Sequence, residues 1–354
     1  MWKKISVFAL VVFLTSVFSI VQPAEIERGY NEESEKNQYV TQPFSNSSSY
    51  EEWNVTLGGG YIDIGYDIQQ TSDGGYIIVG YTRSYGDTSG RNIWLVKTDG
   101  SGIEEWNKTF GGNDDDEGHS VRQTTDGGYI LTGHTESFGS NMNDVILIKT
   151  DASGNEEWMK IFGGEYDDEG YSVRQTTDGG YIIAGVTTSF ATGGRDAWLI
   201  KTNASGNEEW SETYGGLSSD GARSVQQTSD GGYIMTGWTA SYSAGYLFDI
   251  WLVKTDGYGN EEWNNTWGGT GVEADVGYSV KQTADGGYIL TGETQSFGGD
   301  NYDAILIKTD VFGDEEWMKT FVGTFREYGR DVQQTTDGGY IVVGYTVTYG
   351  AGSD

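Results

Sequence analysis

Three short motifs recur in register along this chain, and a unit too small to bury its own faces must stack against its copies. The triplet Glu-Glu-Trp ends at Trp53, Trp106, Trp158, Trp210, Trp263 and Trp317, a period of 52 to 54 residues. Asp-Gly-Gly-Tyr-Ile begins at Asp73, Asp126, Asp178, Asp230, Asp285 and Asp337. A third motif, WLVKTD or a close variant, occupies 94–99, 146–151, 198–203, 251–256 and 305–310.

Each unit reads as four strands. Across 170–214, GYSVRQTTD alternates and closes on Asp178-Gly179, a strong hairpin signal. YIIAGVTTSF, AWLIKTN and EEWSETYGG follow, rich in β-branched and aromatic residues and separated by glycine-marked turns. No stretch after Val21 shows a helical apolar period. The expectation is an all-β chain, a six-bladed β-propeller of four-stranded antiparallel blades, with each Glu-Glu-Trp indole packed on the adjacent blade. A β-solenoid is the alternative, although its rungs are usually shorter. The last copy supplies two strands, up to Tyr349, while the N-terminal side supplies an orphan fourth strand, Glu51 to Leu57. Residues 39–57 are therefore expected to complete the last blade, two strands from each end; the rival is a sixth blade left incomplete where the chain stops.

Composition narrows the chemistry. Without cysteine there is no disulfide and no thiolate. Two histidines, His119 and His134, leave little for a histidine metal site, and each occurs in one copy at a position filled otherwise elsewhere. With 21 basic against 53 acidic residues the formal charge is −32, which opposes a nucleic-acid partner. Twelve Trp and 24 Tyr oppose disorder.

Residues 1–24 have a basic start (Lys3, Lys4), an apolar run from Ile5 to Val21, and then Gln22-Pro23-Ala24. This is the layout of a secretory signal cleaved after Ser19 or Ala24, with a retained anchor as the alternative. Residues 25–38 read as a linker and 39–354 as the propeller. The expected location is secreted or cell-surface, with any membrane contact confined to an N-terminal anchor.

The string DGGYIIxGYT … WLIKTDxxGNEEW … FGG resembles a repeat of exported archaeal and bacterial surface proteins, over residues 51 to 354. The glycine-marked hairpins and Trp also look like the units of quinoprotein-like and kelch-like propellers. The stretch QQTSDGGYI (69–77) carries a faint likeness to bulb-type lectins, but Asp-Gly-Gly-Tyr replaces the core of the lectin pattern, so mannose binding does not carry over. The resemblance implies an exported propeller of unassigned activity.

One acidic position recurs five residues before the first-strand Val or Ile: Asp63, Asp116, Asp168, Asp220, Asp275 and Glu327. Read as lying in the loop entering each blade, near the axis, these carboxylates form a candidate ring for Ca²⁺ or another cation; the competing reading is that each caps backbone N–H groups of its own turn. Gln70, Gln123, Gln175, Gln227, Gln282 and Gln334 recur in the first strands, and Lys97, Lys149, Lys201, Lys254 and Lys308 in the third. This Gln and Lys repetition is expected to form a structural bridge in every blade. Sequons stand at Asn46, Asn54, Asn107, Asn203 and Asn264.

The arginines look scattered and every candidate acid belongs to a repeated set, so no catalytic residue is assigned. The expected function is a monomeric, non-catalytic surface or secreted module that binds protein or carbohydrate through the face opposite the Asp-Gly-Gly hairpins. Loop aromatics such as Tyr85, Phe138, Phe190, Tyr242, Tyr246 and Phe297 are candidates for stacking on the partner. The alternatives are a lectin-like protein and a glycoside-acting enzyme.

Overall fold

The computed structural model describes residues 54–86, 90–140, 142–299, 301–323 and 325–346. The chain divides into two units, Met1–Thr56 and Leu57–Asp354. Of the first, only 54–56 are described, and they carry no strand. The second holds 22 strands and, among its described residues, no helix.

Five antiparallel sheets have four strands in chain order, and a sixth has two. The third blade runs Asp168–Gln175, Tyr181–Thr187, Asp196–Thr202, Glu208–Tyr214. These are the four strands expected, with the first starting two residues earlier. The first strands of successive blades lie beside one another and line the axis: Asp63–Gln70, Asp116–Gln123, Asp168–Gln175, Asp220–Gln227, Val276–Gln282 and Glu327–Gln334. The fold is a β-propeller. Of the segment 39–57 expected to close the ring, 39–53 lie outside the described residues. Residues 54–57 carry no strand.

Burial explains why the copies stack. In the five four-stranded blades the second and third strands are buried at almost every residue on both faces, as in Tyr181–Thr187 and Asp196–Thr202, whereas Tyr340–Thr346 of the sixth blade is largely exposed. Their side chains form cores between blades: Ile182, Ala184 and Leu199 of the third blade meet Val225, Tyr233, Met235 and Trp251 of the fourth. Each Glu-Glu-Trp indole packs on the Tyr that follows Asp-Gly-Gly in the next blade, at 5.7–5.8 Å between ring centroids in five junctions from Trp106–Tyr129 to Trp317–Tyr340.

The repeated polar residues bridge differently from the expected Gln and Lys pairing. Each buried third-strand lysine holds two carboxylates of its own blade. Lys201 Nζ lies 2.8 Å from Asp178 of the hairpin and 2.8 Å from Glu209 of the Glu-Glu-Trp, and also donates to the Thr202 carbonyl. Lys97, Lys149, Lys254 and Lys308 repeat this. The glutamines instead join blades. The Thr177 N–H donates to Gln227 Oε1 of the next blade at 2.9 Å, and four other junctions match. Lysine cannot accept a hydrogen bond, whereas a Gln carbonyl can take a neighbour's backbone N–H, so the two residues settle on different partners.

Asp126, Asp178 and Asp230 in these ties are exposed, and the little burial they have pushes their carboxyls up. Hydrogen bonds from the threonine hydroxyl, the lysine and a backbone N–H outweigh that and hold each pKa at about 2. A depressed folded-state pKa stabilises the fold above the unfolded carboxylate range near ~4, and the contribution is lost as pH falls through 2. Urea denaturation in a pH series should show a falling midpoint across this window; a flat profile would contradict the ties.

Candidate functional site at one mouth of the axial channel

Every first strand carries a β-bulge. In the third blade Gly170 pairs with Gly185 and Ser172 with Ala184, which leaves Tyr171 as the extra residue. The other bulged residues are Tyr66, His119, Arg223, Tyr278 and Arg330. A bulge re-aims the side chain it adds. All six line one cavity of about 440 Å³ on the channel axis, with Glu117, His134 and Glu169. This cavity sits toward the end of the first strands remote from the Asp-Gly-Gly hairpins.

Its groups form a connected network. The Tyr66 hydroxyl donates to Glu117 at 3.1 Å, Tyr171 to Glu169 at 2.5 Å and Tyr278 to Glu293 at 2.9 Å. The Arg223 guanidinium lies 4.1 Å from the Tyr171 ring centroid and Arg330 4.1 Å from that of Tyr278, within cation–π range. His119 stacks on Tyr171 at 5.3 Å, meets the His134 ring at 5.1 Å, and has Nε2 3.7 Å from Glu117.

Ionisation differs among the acids. Burial pushes Glu117 up, but His119, Arg91 and His134 outweigh it and hold the carboxyl below its ordinary value. Glu169 is lowered in the same way, against burial, by the Tyr171 hydroxyl, His134 and Arg195. Glu293, behind Tyr278, is raised by burial. Burial and the neighbouring His119 push His134 down to about 4.

Both histidines line this cavity, and Arg223 and Arg330, which share a repeat position in the sequence, share the bulge. The signal was available as one repeat position holding Tyr, His, Tyr, Arg, Tyr and Arg. A second variable position, Tyr81, His134, Val186, Trp238, Glu293 and Tyr345, lies on the second strands beside it.

The recurring acids sit elsewhere than expected. Asp63, Asp116, Asp168, Asp220 and Glu327 open the first strands, and Asp275 stands one residue ahead of its strand, not in a loop around an opening. They turn into their own blades. Asp168 accepts the Thr187 hydroxyl, the Ser189 hydroxyl at 2.7 Å and the Gly164 N–H at 2.9 Å. Asp63, Asp116, Asp220 and Asp275 likewise take a Thr and a Ser hydroxyl, and Glu327 takes Thr346. Among the described residues no three His, Asp or Glu gather closely enough to hold a metal ion. The competing cap reading describes these contacts.

Three of the six loop aromatics lean on third-strand tryptophans. Tyr85 stacks on Trp94 at 5.9 Å, and Phe190 and Tyr242 pack on Trp198 and Trp251. Tyr246 is 83% exposed. Asn107 and Asn264 are half-buried on outer strands, Asn203 is half-buried in a turn, Asn54 is exposed, and Asn46 lies outside the described residues.

No protein-family model matches the sequence, and no curated protein is similar to it. Among solved structures the chain is similar to the WD40 domain of Pan2 from Neurospora crassa (TM-score 0.51, 10% identity, covering 79% of this chain and 72% of that one). It is also similar to a Bacteroides caccae protein of unknown function (TM-score 0.47, 12% identity, 76% and 85% covered). A Penicillium chrysogenum α-L-arabinanase complexed with arabinobiose has TM-score 0.47 and 12% identity over 78% and 87%. At these identities the Pan2 likeness bears on the fold alone, in agreement with the blades described above.

The bulges depend on a glycine opposite each. A Cβ on Gly185 would stand 1.9 Å from the Glu169 carbonyl oxygen, a backbone atom that cannot swing away. Gly185→Ala should cost about 1–3 kcal/mol in urea denaturation; an unchanged midpoint would mean the bulge is not held this way.

Proposed function

We propose that this chain is a secreted or cell-surface, non-catalytic binding module that takes a polar ligand or a partner's side chain at the mouth cavity. The observation that carries this is the convergence of six bulge residues, three Tyr, two Arg and a His, beside the carboxylates of Glu117 and Glu169. Aromatic rings, ionised carboxylates and guanidinium groups together suit a ligand with both apolar faces and hydrogen-bonding edges, such as a sugar or a polar peptide side chain. The resemblance to exported archaeal and bacterial repeat proteins and the signal-like residues 1–24 support the location. Glycan and peptide arrays probed with the wild type and with Arg223→Tyr test the site. Tyr already fills this position in three blades, so the variant should fold; array signals should appear for the wild type and vanish in R223Y. Blank arrays, or signals indifferent to the substitution, would sink the reading.

A second reading rests on Glu293. Glu293, hydrogen-bonded to the cavity-lining Tyr278, has its carboxyl pushed up by burial, while Glu117 and Glu169 of the cavity are held below their ordinary values, a division of labour that acid–base catalysis uses. It predicts hydrolysis of a chromogenic glycoside that Glu293→Gln abolishes; an inactive wild type across an arabinoside, xyloside and sialoside panel would leave the binding module alone.

A further inference from the structure

Toward the hairpin end the channel holds a second cavity, of about 460 Å³, whose chemistry is the reverse of the chain as a whole. It is set by the residue just before the conserved first-strand glutamine, which runs Gln69, Arg122, Arg174, Gln226, Lys281 and Gln333 from blade to blade. Three cations thus meet on the axis of a protein with formal charge −32.

Two of them have carboxylate partners. Arg122 binds Asp67, which also accepts the Ser120 hydroxyl and the Val121 N–H at 3.0 Å each. Lys281 lies 3.6 Å from Asp331. Arg174 has no carboxylate within 4 Å among the described residues; it donates to the Val173 carbonyl at 2.7 Å. A guanidinium carries five donors, so most of its fork is free toward the cavity. The amides beside it add donors. Gln69 Oε1 accepts the Gln123 N–H at 2.7 Å and Gln226 Oε1 the Gln282 N–H at 2.8 Å, which turns the amino ends into the available groups.

We propose that this cavity binds a small oxyanion, a carboxylate or phosphate group, on the Arg174 guanidinium. The planar fork matches either anion in a bidentate pair. The protein's overall negative charge does not forbid this, because screening over about 8 Å at physiological salt leaves the local cations in control. Burial and neighbouring Arg122 push Arg174 down to about 9, and burial and Arg174 push Lys281 down to about 8, so the crowded cations gain when a counter-ion arrives. Asp67 and Asp331 are the acids facing them, and together with the three cations they leave one net positive charge.

The test is calorimetric titration of the whole chain with inorganic phosphate and, separately, with malonate, which tells a phosphate site from a carboxylate site. Arg174→Gln is the decisive variant, because Gln occupies this position in three blades and the fold should survive. Saturable binding of at least one anion, weakened at least about tenfold in R174Q and unchanged in R223Y at the far cavity, is the expected result. Malonate affinity should fall as pH rises through about 8, where Lys281 loses its charge. No saturation with either anion, or equal affinity in R174Q, overturns the proposal. Because R223Y reports on the mouth cavity alone, failure here and failure of the proposed binding module are separable.

Discussion

A blade of this chain has two apolar faces and no second layer of its own, and the rest of the structure answers to that constraint. In the four-stranded blades the second and third strands bury nearly every residue, so each such sheet packs against the blade that follows it. Burial on this scale carries the backbone's polar groups and a lysine inward with it. The lysine is tolerable only because two carboxylates and a carbonyl surround its ammonium. The strongly acidic composition is partly a consequence: each tie sets two acids against one base, so five ties leave five negative charges before any surface residue is counted. Part of the chain's acidity is thus built into the repeat.

The architecture was legible from the period of the motifs because it depends on residues every copy must keep. Asp178 with its glycines fixes a hairpin, Trp158 fills the space above Tyr181, and no copy can drop them without opening a seam. The pairing of Lys201 with Asp178 and Glu209 was not legible, since sequence shows that polar residues recur but not which strands their tips reach. The acid at Asp168 misled for a related reason. Position along a strand says how near the axis a residue lies, but its hydrogen bonds to Thr187 and Ser189 decide which way it faces.

The mouth cavity was hidden by the opposite property. Its residues occupy a repeated position without repeating a type, so a search for constant residues passes over Tyr171 and Arg223, and a search for lone residues dismisses His119. What marks the position is structural: the bulge adds one residue to the strand and points it at the axis. Gly185, constant and apparently mere punctuation, was the visible half of that device, because the bulged backbone comes too close for a Cβ.

The bulge also lets one strand serve two levels of the channel. Without it, alternation would put the fourth and seventh positions on opposite faces; the extra residue restores the phase, so Tyr171 lines one cavity and Arg174 the other. Between them Ser172 keeps its hydroxyl within 3.4 Å of the Val225 N–H, which ties the third blade to the fourth. Two variable positions are therefore separated by one fixed to the scaffold. Six copies give twelve axial side chains that differ from blade to blade, and in this chain they have diverged into an aromatic mouth of mixed charge and a cation-bearing inner chamber. A ring built from near-identical parts acquires an asymmetric interior because its constraints act between blades while its axis remains free.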